Sequence, residues 1–237
     1  MTQRHTNEAN AVRRTAAARL NVVRAAVLGA SDGTVEIAGL VVGVASATSN
    51  TLVIFIAGIA GVLAGALSMG AGEYVSVHSQ LDSEKAALEN ERHELATDPK
   101  GELMELAGIY EAKGLRHETA LLVAQELTDH DVFQAHVEAE LGMDPDGLMN
   151  PWHAAWASMF SFLAGAMVPL LSILLVPATW RIPVTVLAVI VALGICGSLS
   201  ARAGGARRGP AILRVIIGGL IAMAVTYIIG SIFHTHE

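Results

Sequence analysis

The chain has 237 residues, 53% of them hydrophobic and 16% charged, which is too apolar for an ordinary soluble domain. Of its 22 acids, 17 lie between residues 79 and 148, so the net charge of -7 describes one segment and argues against nucleic acid as a partner. The lone Cys196 excludes an internal disulfide and a multi-cysteine metal site.

Residues 1–23 form a polar N-terminal segment without the apolar core and small-residue cleavage site of a signal peptide. Five apolar segments follow, near 24–47, 51–78, 153–177, 182–201 and 211–233. Each is long enough to cross about 30 Å of hydrocarbon. The breaks between them are short: Thr48-Ser49-Asn50, the stretch from Pro177 to Pro183, and the run from Arg202 to Pro210. A polar insert at 79–150 separates the second span from the third. Arg4, Arg13, Arg14, Arg19 and Arg24 precede the first span, and Arg202, Arg207, Arg208 and Arg214 surround the loop after the fourth. The opposite loops offer only Arg181. With five spans, both arginine-bearing regions fall on one side, which the basic-residue rule makes cytoplasmic. The expected fold is therefore an all-α membrane protein with five transmembrane helices. Spans 1–2 occupy 24–78, a cytoplasmic acidic helical metal-binding domain occupies 79–150, and spans 3–5 lie within 151–237.

Within the insert, 80–96 reads as one helix, and Asp98-Pro99 starts a second, with an acid at the cap and proline in the first turn. That helix is expected to end near Lys113, before Gly114. "RHETALLVAQELTDHD" supplies a third helix and "VFQAHVEAELG" a short fourth, stopped by Gly142. Leu103, Leu106, Ile109 and Tyr110 give the second an apolar side for packing into a small bundle.

Two acids interrupt the first span. Asp32 and Glu36 are four apart and share a helix face. An ionisable side chain in a span is costly and is expected to face a cavity or a partner. Asp32 lies eight residues past Arg24, and Met69 nine residues before His78 on the returning second span. At 1.5 Å per residue both fall about 12 Å or a little more inward, so they are expected to meet across the two helices. Glu73 then sits nearer the cytoplasmic mouth and Glu36 deeper. A carboxylate beside a thioether suits a borderline divalent ion such as Fe²⁺ better than Mg²⁺ or Ca²⁺. Against this stand plain alternatives: Met69 as packing, Glu36 protonated or bonded to a neighbouring helix, Glu73 solvated. Gly58, Gly61 and Gly65 permit close helix approach, within one chain or across a dimer.

In the insert, Glu91 and Glu94, then Glu102 and Glu105, are pairs spaced by three. If the helices fold back at Asp98-Pro99, four carboxylates converge, a pattern that takes divalent cations. Solvated acidic faces give the same pattern. His93, His117, His130 and His136 add nitrogen donors under the same alternative. No Glu precedes a His by three residues, so the pair that builds ferritin-like di-iron sites is missing. There is also no P-loop and no hydrolase or zinc-protease motif.

"SDGTVEIAGLVVGV" in the first span, "AGALSMGAGEYVSVHSQ" ending the second, and "ELMELAGIYEAKGL" with "VAQEL" in the insert resemble the vacuolar iron transporter family, in a bacterial-type member. The resemblance runs from about residue 20 to 233. It implies a homodimer that moves Fe²⁺, often also Mn²⁺, out of the cytoplasm in exchange for protons. It also implies no prosthetic group and no enzymatic activity. By resemblance, the path at the dimer interface uses Asp32 and Met69, and the insert binds metal through Glu91, Glu94, Glu102, Glu105 and Glu140. Family members often carry methionines shortly before the last of these glutamates; here His136 and Val137 stand in those places. Glu36 replaces an expected small polar residue. The expected location is a bacterial inner membrane. The alternatives are a membrane-anchored metal buffer or sensor, and an iron oxidase, which the missing Glu-x-x-His argues against.

Overall fold

The computed structural model describes residues 26–144, 147 and 149–233. The arginines before the first span and the last four residues lie outside the described residues. Among the described residues the chain is helical and has no strand. The helices are α1 (Ala26–Ala47), α2 (Thr51–Thr97), α3 (Pro99–Ala112), α4 (His117–His136), α5 (Pro151–Leu175), α6 (Arg181–Ala203) and α7 (Arg208–Ile232). A π-helical turn, Val137–Leu141, follows α4. Helices α1, α2, α5, α6 and α7 are long and apolar enough to cross a membrane, as the five apolar segments predict. The chain divides into two compact units, Met1–Tyr74 with Trp152–Glu237, and Val75–Pro151.

One boundary differs from the sequence expectation. The second span and the first insert helix form a single helix of 47 residues. Between Gly72 and Pro99 there is no glycine or proline to stop it. Apolar residues give way there to Glu, Lys, Ala and Leu, which are equally good helix formers. Asn50 caps its start, its side-chain oxygen accepting from the Leu52 and Val53 amides at 3.0 and 3.3 Å.

In the first unit α1 is the hub. Ile37 and Val41 join a core with Ile54, Val62, Phe162 and Leu170, whereas Ala38 and Val42 join a second with Val189, Leu193 and Met223. The two pairs are one residue out of step, so they lie on adjoining stripes of the helix. Lipid offers no hydrophobic drive between helices, so their association rests on close van der Waals packing. Small residues supply it. A Cβ on Gly165 would lie 2.0 Å from the Ala30 carbonyl oxygen, and one on Gly230 2.0 Å from that of Gly43. The Thr34 hydroxyl sits in the α1–α5 seam, 2.7 Å from the Ala30 carbonyl oxygen and 3.1 Å from that of Gly165. Gly58, Gly61 and Gly65 serve contacts inside the chain, against Leu170 and Val41, Leu40 and Ile37, and Phe162 and Glu36 respectively. We expect Gly165→Val to destabilise the folded protein by about 3 kcal/mol or more, because the clash is with backbone and no side chain can move aside. Thermal unfolding in detergent checks this, with Gly209→Ala, where a Cβ meets open space, as the neutral control.

The membrane ends carry polar and aromatic anchors. Tyr74 packs on Trp152 with ring centroids 4.7 Å apart, and Trp156 stacks on Phe160 at 5.8 Å. Exposed Trp180 stands past the far end of α5. Such rings favour the two membrane–water interfaces. Arg181 is buried, with one guanidinium nitrogen donating to the Thr51 hydroxyl at 3.2 Å, and so ties α6 to the start of α2.

In the second unit Asp98 caps α3 by accepting from the Gly101 amide at 3.0 Å, with Pro99 in the first turn. Gly114 ends the helix at φ +101°, a backbone setting that only glycine takes without strain. Leu106 and Ala107 of α3 bury against Ala124 of α4, flanked by Leu103, Tyr110, Leu121 and Leu127. The third and fourth insert helices read from sequence meet at a real break. Asp131 leaves helical geometry (φ -160°, ψ 94°) and accepts from the Gln134 amide at 3.0 Å, capping the second piece. The π-helical turn closes at Gly142, φ +62°.

Candidate functional site

The fold-back at Asp98-Pro99 sets the end of α2 beside α3. The Asp131 break and the π-helical turn re-aim the end of α4 toward both. Glu91 from α2, Glu102 from α3, His136 from α4 and Glu140 from the turn thereby offer one donor atom each, all within 4.8 Å of one another. His136 Nδ1 lies 3.1 Å from Glu91 Oε1, 3.4 Å from Glu102 Oε2 and 4.0 Å from Glu140 Oε2. Ligands at about 2.1 Å from one ion stand about 3.0 to 4.2 Å apart, so the widest-set donors would draw together by about 0.6 Å or more to share one.

Burial makes the cluster unusual. His136 is fully buried and Glu91 is 2% exposed, while Glu140 stays open to solvent. Despite the short approach, Glu91 Oε1 and both ring nitrogens of His136 have no hydrogen-bond partner of acceptable geometry. Buried polar atoms are nearly always satisfied, so Glu91 Oε1 and His136 Nδ1, unpaired and 3.1 Å apart, suit a cation between them. The electrostatics agree. Burial, then the charges of Glu140, Glu102 and Glu94, push the Glu91 carboxyl up to about 7. Burial and neighbouring carboxylates also raise Glu102 and Glu140, while burial lowers His136 and keeps its ring neutral. A divalent ion would relieve the repulsion among these carboxylates.

Of the insert residues named from sequence, Glu94 and Glu105 stand at the rim. Both are exposed and outside the four-donor set, though their charges reach it. The four histidines separate cleanly: His93, His117 and His130 are exposed, and only His136 turns inward.

In the first unit Leu28, Asp32 and Glu36, each four apart, form an exposed stripe on α1. No hydrogen bond or ion pair joins either acid to another described residue. Glu36 Oε1 lies 3.1 Å from where a Cβ would stand on Gly65, and Leu40 packs at Gly61. Helices α1 and α2 run antiparallel, so the register that pairs 36 with 65 and 40 with 61 sets Met69 level with Asp32. Met69 is half-buried against the Phe162 core, and Glu73, half-buried, lies one turn further along α2.

Residues 23–231 match the VIT family. The chain belongs to that family. It is 39% identical over 214 residues to the vacuolar iron transporter of Acanthamoeba castellanii, covering 90% of this chain and 79% of that one. It is 35% identical over 223 residues to vacuolar iron transporter homolog 3 of Arabidopsis thaliana, covering 92% and 87%. It is 32% identical over 219 residues to homolog 2 of Oryza sativa subsp. japonica, covering 92% and 94%. Membership makes it a multi-pass membrane transporter rather than an enzyme. The matched region includes both the α1 acids and the insert cluster, so neither is an appendage to the family's common body. Sequence reasoning missed the devices that aim the donors: nothing in "LTDHDVFQAHVEAEL" announces a π-helical turn, although Asp131 three residues before Gln134 is a legible cap.

Proposed function

We propose that the chain transports Fe²⁺, with Mn²⁺ as a second cargo, out of the cytoplasm in exchange for protons. The observation that carries this reading is the carboxylate stripe, Asp32 and Glu36, unpaired among the described residues and inside a membrane-spanning helix. Two ionisable groups on one face of a spanning helix are too costly to serve as an anchor. A partly dehydrated cation crossing the span needs such ligands, and Met69, level with Asp32, adds a thioether suited to a borderline ion. Protonation of Asp32 or Glu36 from the far side weakens that site and releases the ion, which couples proton entry to metal exit.

Two parts complete the reading. The exposed face of α1 is covered by a second copy of the chain, so that the path runs between two protomers. The insert collects the ion in the cytoplasm through Glu91, Glu102, Glu140 and His136, with Glu94 and Glu105 drawing cations to the rim. Arg202, Arg207, Arg208 and Arg214, all exposed around the α6–α7 loop, favour a cytoplasmic position for that loop. Being on that side, the insert belongs to loading and not to release. In a bacterial inner membrane this direction amounts to detoxification; no prosthetic group takes part.

The test is flux in liposomes carrying a metal-quenched dye, with a pH dye in parallel. Fe²⁺ entry that rises with an imposed proton gradient, with protons moving the opposite way, is the expected result. Binding without flux would replace transport by the buffer reading.

A further inference from the structure

His136 is not an ordinary core histidine. A core histidine is satisfied by neighbouring donors and acceptors, whereas this ring is fully buried with both nitrogens unpaired. Its Nδ1 faces three carboxylates at 3.1 to 4.0 Å. A neutral imidazole nitrogen donates a lone pair to a metal ion. The other three donors in the set are carboxylate oxygens. Oxygen alone accepts Mg²⁺, Ca²⁺ and Mn²⁺ readily and separates the transition ions poorly. One imidazole nitrogen changes this, because nitrogen affinity climbs steeply from Mn²⁺ through Fe²⁺ and Co²⁺ to Ni²⁺ and Cu²⁺, with Zn²⁺ also high.

We propose that His136 is the specificity-determining ligand of the insert, making it bind Co²⁺, Ni²⁺ and Zn²⁺ more tightly than Mn²⁺, and Mn²⁺ more tightly than Mg²⁺ and Ca²⁺. This rests on the cation-site reading of the four-donor cluster. The geometry gives His136 no substitute: the remaining insert histidines are exposed and outside the set, so removing this ring leaves the cluster all-oxygen. Because the cluster is buried on the Glu91 and His136 side, an ion must shed water to enter. An imidazole repays that loss for a late transition ion and not for Mg²⁺.

The experiment uses the full chain in detergent. Affinities for Mn²⁺, Co²⁺, Ni²⁺ and Zn²⁺ are read by competition with a fluorescent chelator for wild type, His136→Gln, His136→Glu and Glu91→Gln. Electron paramagnetic resonance of one equivalent of Cu²⁺ reports directly bound nitrogen. The expected result is that His136→Gln narrows the Ni²⁺-to-Mn²⁺ affinity ratio about tenfold or more, with Mn²⁺ changed least. His136→Glu, which restores a ligand, shifts preference toward Mn²⁺, and the nitrogen coupling of wild type is lost in both variants. An equal loss for every ion, or nitrogen coupling that survives His136→Gln, overturns the proposal while Glu91→Gln still weakens binding. No binding by wild type, or binding indifferent to Glu91→Gln, overturns the cation-site reading and this proposal with it.

Discussion

Asp32→Asn protein in liposomes is expected to pass Fe²⁺ at the rate of protein-free vesicles while folding as wild type does. The substitution is isosteric, and Asp32 makes no hydrogen bond or ion pair with another described residue that its loss would break. Its side chain is exposed, so the packing of α1 on α5 and α7, which runs through Gly33, Gly39 and Gly43, is untouched. The ion, by contrast, loses a full negative charge at close range. At an effective dielectric of 20, two unit charges 4 Å apart interact by about 4 kcal/mol. Losing that much from the barrier-crossing site costs roughly a thousandfold in rate. Glu36→Gln should cost less, because Glu36 lies one turn deeper, against Gly65, with no sulfur level with it. Metal binding by the insert should be unchanged in both variants. Stopped-flow dye quenching measures the flux and chelator competition the binding. Flux in Asp32→Asn within a factor of two of wild type would remove the carboxylate from the path.

Much of this arrangement is legible in the chain because its signals are of the kind that lipid enforces. Five apolar runs of more than about 20 residues admit little besides five spanning helices, since unpaired backbone is not tolerated in hydrocarbon. Asp32, Glu36 and Met69 stand out for the same reason: polarity in a span is costly. The α1–α2 register was accessible from counting alone, because two antiparallel helices joined by the three residues 48–50 cannot slide far. The insert was legible to a lesser degree. Asp98, Pro99, Gly114 and Gly142 mark helix ends by mechanisms that act within a few residues. What the chain does not announce is which polar residues turn inward. Glu94 and Glu105 share the spacing of Glu91 and Glu102 yet stay exposed, and His136 is composed no differently from His130. That choice depends on the Asp131 break and the π-helical turn, which rotate the end of α4 by an amount no periodicity encodes. The unbroken α2 was hidden differently: a change from apolar to charged residues looks like a boundary, but a helix needs a breaker to stop.

The affinity of the insert for Fe²⁺ or Zn²⁺ should fall about tenfold between pH 8 and pH 6, and more if further protons join. The sign follows from the carboxyls. Glu91, held up to about 7, is mostly ionised at pH 8 and mostly protonated at pH 6, so an arriving ion must expel its proton at the lower pH. Glu102 and Glu140 are shifted the same way, by burial and neighbouring carboxylates. His136, shifted downward, is already neutral and adds little competition. The metal-free protein should behave oppositely. A carboxyl that binds its proton more tightly folded than unfolded contributes stability at low pH. That contribution is lost as pH rises from the ordinary carboxylate range through about 7. For Glu91 the loss is on the order of 3 kcal/mol, and adding metal should reverse the trend. Chelator competition at pH 6, 7 and 8 measures the first effect. Proteolytic susceptibility of the α3–α4 segment, with and without metal, measures the second. Glu91→Gln should bind more weakly but with a shallower pH slope, because it has no proton to give up. An affinity flat from pH 6 to 8 in wild type would mean that these carboxylates are ordinary solvated acids, and that the convergence of Glu91, Glu102, His136 and Glu140 serves packing alone.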